Sequence, residues 1–549
     1  MSKIRPLALS IVSIILFSLS SSSVFAQLGP QKTTFTHQDT LRGTVGPERA
    51  WWDVTKYDIT VEPDYVTRTI TGKNILSCVT TGEGQKMQID MQVPMKITKV
   101  VYEQTDIPFQ RDSNVYHLDF GHSIPSQTKM KLEISFEGHP REAIKPPWDG
   151  GWIWQKDKAG NPWMTVACQG LGASVWYPCK DYQGDEPDSA SLTIIVPDSL
   201  IAVANGRLRN TIKNTNGTTA YTWAVVNPIN NYTIIPYIGK YVNWSEEYDG
   251  EKGKLDLSFW ALAEDESKAR SQFKQVIPML KCFEHWFGPY PFYEDGYKLV
   301  QSSHLGMEHQ SAVAYGNQFM NGYLGKDLSG TGWGNKWDYI IVHESGHEWF
   351  ANNITTKDIA DMWVHEGFTD YSETLYTECQ SGKKAGEEYN IGLRPKILNE
   401  SPVIGPYGVN EEGAKDMYFK GSNILEMVRT IMDDDEKFRM MLRGLNSEFY
   451  HKVVTSKDIE AYIIKFSGKD LSPFFDQYLR DNRLPEFQYR YSGGKLEYRF
   501  ANCIEGFTMP LKIKSAKPEW INPDTNWQKS SIRGRISVDP NFYVGSRKM

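Results

Sequence analysis

His343-Glu344-Ser345-Gly346-His347 carries the clearest chemistry in this sequence of 549 residues. Two histidines four positions apart project from one face of a helix, one turn from each other, so both imidazoles can reach a single cation. Catalytic zinc sites use three protein ligands and keep a fourth position for water. Glu366, with 18 residues between it and His347, supplies the third donor from the head of a second helix that folds back. Glu344 adjoins the first histidine on the same helix, where its carboxylate reaches that water and serves as general base. The set predicts one Zn2+ per chain and a hydrolytic reaction. Two solvated histidines on a surface helix are the bland alternative, and the carboxylate at Glu366 argues against it.

Such residues need a scaffold. At 40% hydrophobic and 23% charged residues, the composition is that of a folded globular chain, neither disordered nor fibrous. A net charge of −7 without a long basic run makes nucleic acid an unsuitable partner. Residues 1–26 combine a basic start, a short apolar core from Leu7 to Leu19 and a small-residue site at Ala26, the form of a signal peptide. The mature chain is expected to be exported, periplasmic or extracellular, with no stable membrane insertion. That compartment permits disulfides. Cys168 and Cys179 are close enough in sequence to pair across a hairpin, with buried free thiols as the equal alternative.

Residues 27–242 read as an antiparallel all-β domain. Tyr57-Asp-Ile-Thr-Val-Glu, Met130-Lys-Leu-Glu-Ile-Ser-Phe-Glu and Ser191-Leu-Thr-Ile-Ile-Val-Pro are typical strands. Residues 243–482 read as mainly helical, with helices expected over Ala261–Phe287, Trp337–Ile354, Tyr418–Met432 and Ser456–Phe466. Residues 483–549 turn strand-like again and form a small C-terminal β domain. The fold class is multidomain α+β.

Around the two histidines, Val342-His-Glu-Ser-Gly-His-Glu-Trp-Phe-Ala-Asn-Asn-Ile-Thr and Asp361-Met-Trp-Val-His-Glu-Gly-Phe resemble the gluzincin aminopeptidases, the family of aminopeptidase N and leukotriene hydrolase. Trp286-Phe-Gly-Pro-Tyr-Pro-Phe, Gln169 with Trp176-Tyr-Pro-Cys-Lys-Asp181, and Phe474-Phe-Asp-Gln-Tyr-Leu extend the resemblance over most of the mature chain. It implies a thermolysin-like catalytic domain, zinc on His343, His347 and Glu366, and removal of residues from peptides with a free N-terminus.

The family's Gly-x-Met-Glu-Asn is similar to Leu305-Gly306-Met307-Glu308-His309 here. The resemblance makes Glu308 the anchor for the substrate's α-amine, with Gly306 and Met307 in the same binding segment; Leu305 and His309 depart from the pattern. It also makes Gln169 a second contact to the amine. Tyr418-Phe-Lys-Gly421 resembles the family's Tyr-x-Lys-Gly, whose tyrosine donates to the developing oxyanion. Glu373, two helical turns after Glu366, either orients a ligating imidazole or is solvated. His304, His309 and His365 are expected to be satisfied polar packing. Many relatives end in a large helical domain; the short β-like segment here implies a more open cleft or one covered by a partner. A zinc endopeptidase of thermolysin type and a non-catalytic peptide-binding relic are the other readings. The residues leave the preferred side chain and the oligomeric state undetermined.

Overall fold

Alternation builds the N-terminal half. In Ser189–Pro197 every second residue is buried, namely Ala190, Leu192, Ile194 and Val196, the period of a strand with one face on a core. The computed structural model describes residues 34–515 and 517–549; the expected signal peptide lies outside the described residues. The strand belongs to an eight-stranded sheet in the order Arg207–Lys213, Thr218–Val225, Ser189–Pro197, Trp52–Asp64, Thr69–Thr80, Lys129–Gly138, Lys96–Tyr102 and Thr105–Asp106. Its pairings are antiparallel with one correction to the expectation: Trp52–Asp64 runs parallel to Ser189–Pro197, with Lys56 opposite Ser189. The long intervening chain, which forms other strands, supplies the crossover that a parallel pair requires. Two smaller sheets close over the same core, which holds Trp52, Trp152 and Trp176.

The second half starts from a sheet that the sequence reading missed. Its order is Tyr241–Gly250, Gly253–Leu262, Tyr297–Gln301, Val313–Tyr315 and Gly306–Met307. The helix expected from Ala261 therefore begins later, because Leu262 still ends a strand; helix α1 covers Val276–Phe287 and stops at Gly288, whose φ is 95°. Helix α2 spans Tyr339–Gly346, α3 spans Trp363–Ser381 and α4 spans Phe419–Met432. The expected helix to Ile354 breaks after α2. Phe350 and Ala351 leave helical geometry, and Ile354–Thr356 pairs as a strand with Lys452–Val454. The final expected helix runs Ser456–Ser467.

The C-terminal strands Glu486–Ser492, Lys495–Ala501 and Leu511–Lys514 form as expected. Their Phe487, Phe500 and Leu511 join the same hydrophobic cluster as Phe474 and residues of α1 to α4. Cys282 of α1 is bonded to Cys379 of α3, with 6.2 Å between their Cα atoms. Cys168 and Cys179 are separate buried thiols, so the hairpin pairing is corrected. The Cys168 thiol turns to the carbonyl of Tyr232 at 3.2 Å, while Cys179 bridges Asp90 through its backbone. No helix among the described residues is long and apolar enough to cross a membrane.

Candidate metal centre and substrate cleft

Asp338 starts α2. Its side chain accepts from the amides of Ile340 and Ile341 and from Tyr315 Oη at 2.7 Å, so the helix is capped and tied to the neighbouring sheet. One turn on, His343 and His347 face the cleft with ring centroids 5.0 Å apart. Each ring's Nδ1 is already engaged. His343 Nδ1 meets Glu373 Oε1 at 2.7 Å, and His347 Nδ1 meets the carbonyl of Phe350 at 3.0 Å. The break after α2 is what turns that carbonyl back. Both Nε2 atoms are left for Glu366 Oε2, at 3.5 and 3.3 Å.

Among the described residues, buried Glu366 Oε2 has no hydrogen-bond partner, while its other oxygen accepts from Gln169 Nε2 at 3.1 Å. Two imidazole nitrogens and one orphaned carboxylate oxygen, all within 4.8 Å of one another, are a donor set that fits zinc. Burial opposes ionisation of Glu366, but the two imidazoles beside it overcome this and hold its carboxyl well below the usual range. Burial likewise lowers His347, and the charge of Glu366 more than offsets it.

Glu373 is fully buried and accepts from Tyr389 Oη at 2.6 Å on its second oxygen. Of its two expected readings, orientation of the imidazole is the one the geometry supports. Glu373→Gln is expected to weaken zinc affinity about 10- to 100-fold, read by competition with a chelator of known affinity; unchanged affinity would remove the orienting role.

Glu344 lines the same cleft beside His347. Burial pushes its carboxyl up to about 8, against the pull of both imidazoles and with help from Glu308 and Glu366. Gly306 is required here, since a Cβ would lie 2.5 Å from Glu344 Oε1. Glu308 is 2% exposed, and its carboxylate lies within 4.8 Å of Glu344 and His347. Tyr232 Oη donates to Glu308 Oε1 at 2.8 Å, and Asn352 Nδ2 holds the Glu308 carbonyl at 2.9 Å. Met307 lines the cleft, a cavity of about 500 Å³.

Tyr418 precedes α4 and stacks on His343 with centroids 6.1 Å apart. Burial and the surrounding carboxylates, Glu366 foremost, push its phenol well above the usual range, so it keeps its proton. The placement depends on two glycines. A Cβ on Gly421 would lie 2.7 Å from Gly367 Cα, so α4 and α3 touch backbone to backbone.

His365 and His309 are polar packing, each satisfied at one ring nitrogen only, since among the described residues His365 Nδ1 and His309 Nε2 have no partner. His365 Nε2 accepts from the Thr356 amide at 2.9 Å, and His309 Nδ1 meets Tyr237 Oη at 2.5 Å. His304 is a correction: it is buried, but among the described residues neither ring nitrogen has a hydrogen-bond partner. It packs edge-on against His309 at 6.0 Å.

Residues 272–478 match the Peptidase family M1 domain. A probable aminopeptidase 2 of Sulfurisphaera tokodaii is 20% identical over 461 residues, covering 81% of this chain and 55% of that one. Aminopeptidase N of Canis lupus familiaris is 25% identical over 295 residues, 49% of this chain and 29% of that one. The chain spans about half the length of the first of these curated relatives. An M1 zinc metallopeptidase of Deinococcus radiodurans, solved as a mutant with a Tyr-Ser-Ala substrate, superimposes with a TM-score of 0.65. Its identity is 18%, over 80% of this chain and 96% of that one.

Within this fold, Gln169 reaches Glu366 from the β-domain, a contact that the sequence reading did not foresee. Tyr232 and Tyr389 were missed altogether. Neither has a spacing that ties it to the histidines, because folding alone brings them there.

Proposed function

We propose that the protein is an exported zinc aminopeptidase acting on peptides with a free N-terminus. The observation that carries this reading is Glu308, a buried carboxylate beside Glu344 and the donor set. An N-terminal ammonium is the cation that internal peptide bonds lack. Pairing it with Glu308 sets the first peptide bond at the donors and excludes longer registers. His343, His347 and Glu366 would hold the zinc. When bound, the ion lowers the pKa of water toward about 7 and polarises a carbonyl. Glu344 takes a proton from the attacking water at its carboxylate and returns it to the leaving nitrogen. Tyr418 donates its hydroxyl proton to the oxygen on which negative charge develops. Gln169 and Glu373 keep Glu366 and His343 in line.

The test is a set of amino-acid anilides with free and acetylated amines, with and without chelator. Turnover is expected for free amines only, lost with chelator and restored by zinc; equal cleavage of acetylated substrates would favour the endopeptidase reading. Glu308→Gln should lower kcat/KM on free-amine substrates about 100-fold and leave zinc content intact. Equal activity would remove the anchor. Export is supported by the leader-like residues 1–26 and by the Cys282–Cys379 disulfide. Fractionation that finds the uncleaved chain in the cytosol would overturn it.

A further inference from the structure

The cleft continues beyond the metal donors. Trp148, Gln169, Leu398 and Lys415 are shared between it and a second chamber of about 620 Å³. One wall of that chamber is residues 410–416, the segment that leads into Tyr418; the facing wall includes Gly170, next to Gln169. Gly170 has a φ of 67°, and a Cβ there would lie 2.6 Å from Glu412 Oε1. The absence of a side chain at Gly170 thus makes room for the Glu412 carboxylate against the β-domain.

Among the described residues, no hydrogen bond or ion pair takes up this carboxylate. Burial acts on it, and the charged groups acting with burial are Glu366, Glu411 and Glu308, all of its own sign. Two cations line the chamber, and neither forms an ion pair with it: Arg141 donates to the carbonyl of Asp149 at 3.0 Å, and Lys415 is the other. A carboxylate drawn partly out of water among like charges is stabilised by an incoming cation. The chamber also offers a surface for the stem of such a cation. Trp148 is 39% exposed and Leu398 57% exposed. Long basic side chains lay their methylenes on apolar surface, and a guanidinium or ammonium is attracted to an indole face.

Resting on the aminopeptidase reading, we propose that this chamber receives the first side chain of the substrate and that Glu412 selects N-terminal arginine or lysine. With the α-ammonium fixed at Glu308, the stem runs along Trp148 and Leu398, and the charged head pairs with Glu412.

The experiment compares kcat/KM of the zinc-loaded full protein on arginine, lysine, leucine and glutamate anilides. Arginine and lysine are expected to exceed leucine, and Glu412→Gln should reduce the arginine-to-leucine ratio by about 10-fold or more. Glu412→Lys should raise glutamate relative to arginine. Leucine turnover without a basic preference, or a Glu412→Gln variant with an unchanged ratio, overturns the proposal while leaving the aminopeptidase reading intact. Absence of turnover on every free-amine substrate counts against that reading instead. Binding of argininamide and leucinamide, measured by calorimetry, then decides the proposal: tighter argininamide binding that Glu412→Gln abolishes supports it, and equal affinities overturn it.

Discussion

Glu344→Gln is expected to lower kcat by about 100- to 10,000-fold while zinc content stays at one per chain. The substitution is close to isosteric. It keeps the fit against Gly306, where the glutamate oxygen leaves no space for a Cβ. What it removes is the ability to accept a proton, since an amide oxygen is a far weaker base than a carboxylate. Folding should not suffer, because burial, with Glu308 and Glu366 nearby, already favours the uncharged side chain at Glu344 over the pull of the two imidazoles. The variant also decides between two donor sets. Glu308, Glu344 and His347 could in principle gather a cation of their own, besides His343, His347 and Glu366. Retained zinc assigns the metal to the second set; lost zinc makes Glu344 a ligand. Hydrolysis within about tenfold of the unmodified enzyme would remove it as the base. Metal analysis, kcat on alanine anilide and a thermal melt separate these outcomes.

The parts of the site that lie on one helix were legible because their geometry is local. Helical periodicity places His343 and His347 on one face whatever the rest of the chain does, and the strands of the β-domain announce themselves by alternation, as in Ser189–Pro197. Contacts that depend on tertiary structure were not. Gln169 was expected at the substrate amine, yet it bonds Glu366 from a different domain; a resemblance names the residue and leaves its partner open. The close approach of Gly367 and Gly421 is hidden for the same reason, since each glycine alone looks like any other. The sheet beginning at Tyr241 was misread because its strands Tyr241–Gly250 and Gly253–Leu262 adjoin helical sequence, and the apolar spacing after Trp260 suits either period. The break after α2 has a consequence that no periodicity reveals: it turns the Phe350 carbonyl to His347 Nδ1 at 3.0 Å.

Tyr418→Phe is the second substitution with a large expected effect, about 100- to 1000-fold in kcat. It deletes one hydroxyl and retains the ring that stacks on His343, so the donor set and the α3–α4 contact stay in place. Its loss should fall on kcat rather than KM. A ground-state peptide carbonyl is a modest acceptor, whereas the oxygen of the tetrahedral species carries a charge and gains much more from the same hydrogen bond. The phenol suits the role because burial and the nearby carboxylates keep it protonated across the working pH range. A KM increase with unchanged kcat would instead make Tyr418 a contact to the resting substrate. Loss of zinc from the variant would make its effect structural, transmitted through the His343 ring. Retained zinc with a kcat defect would leave the hydroxyl as the oxyanion donor.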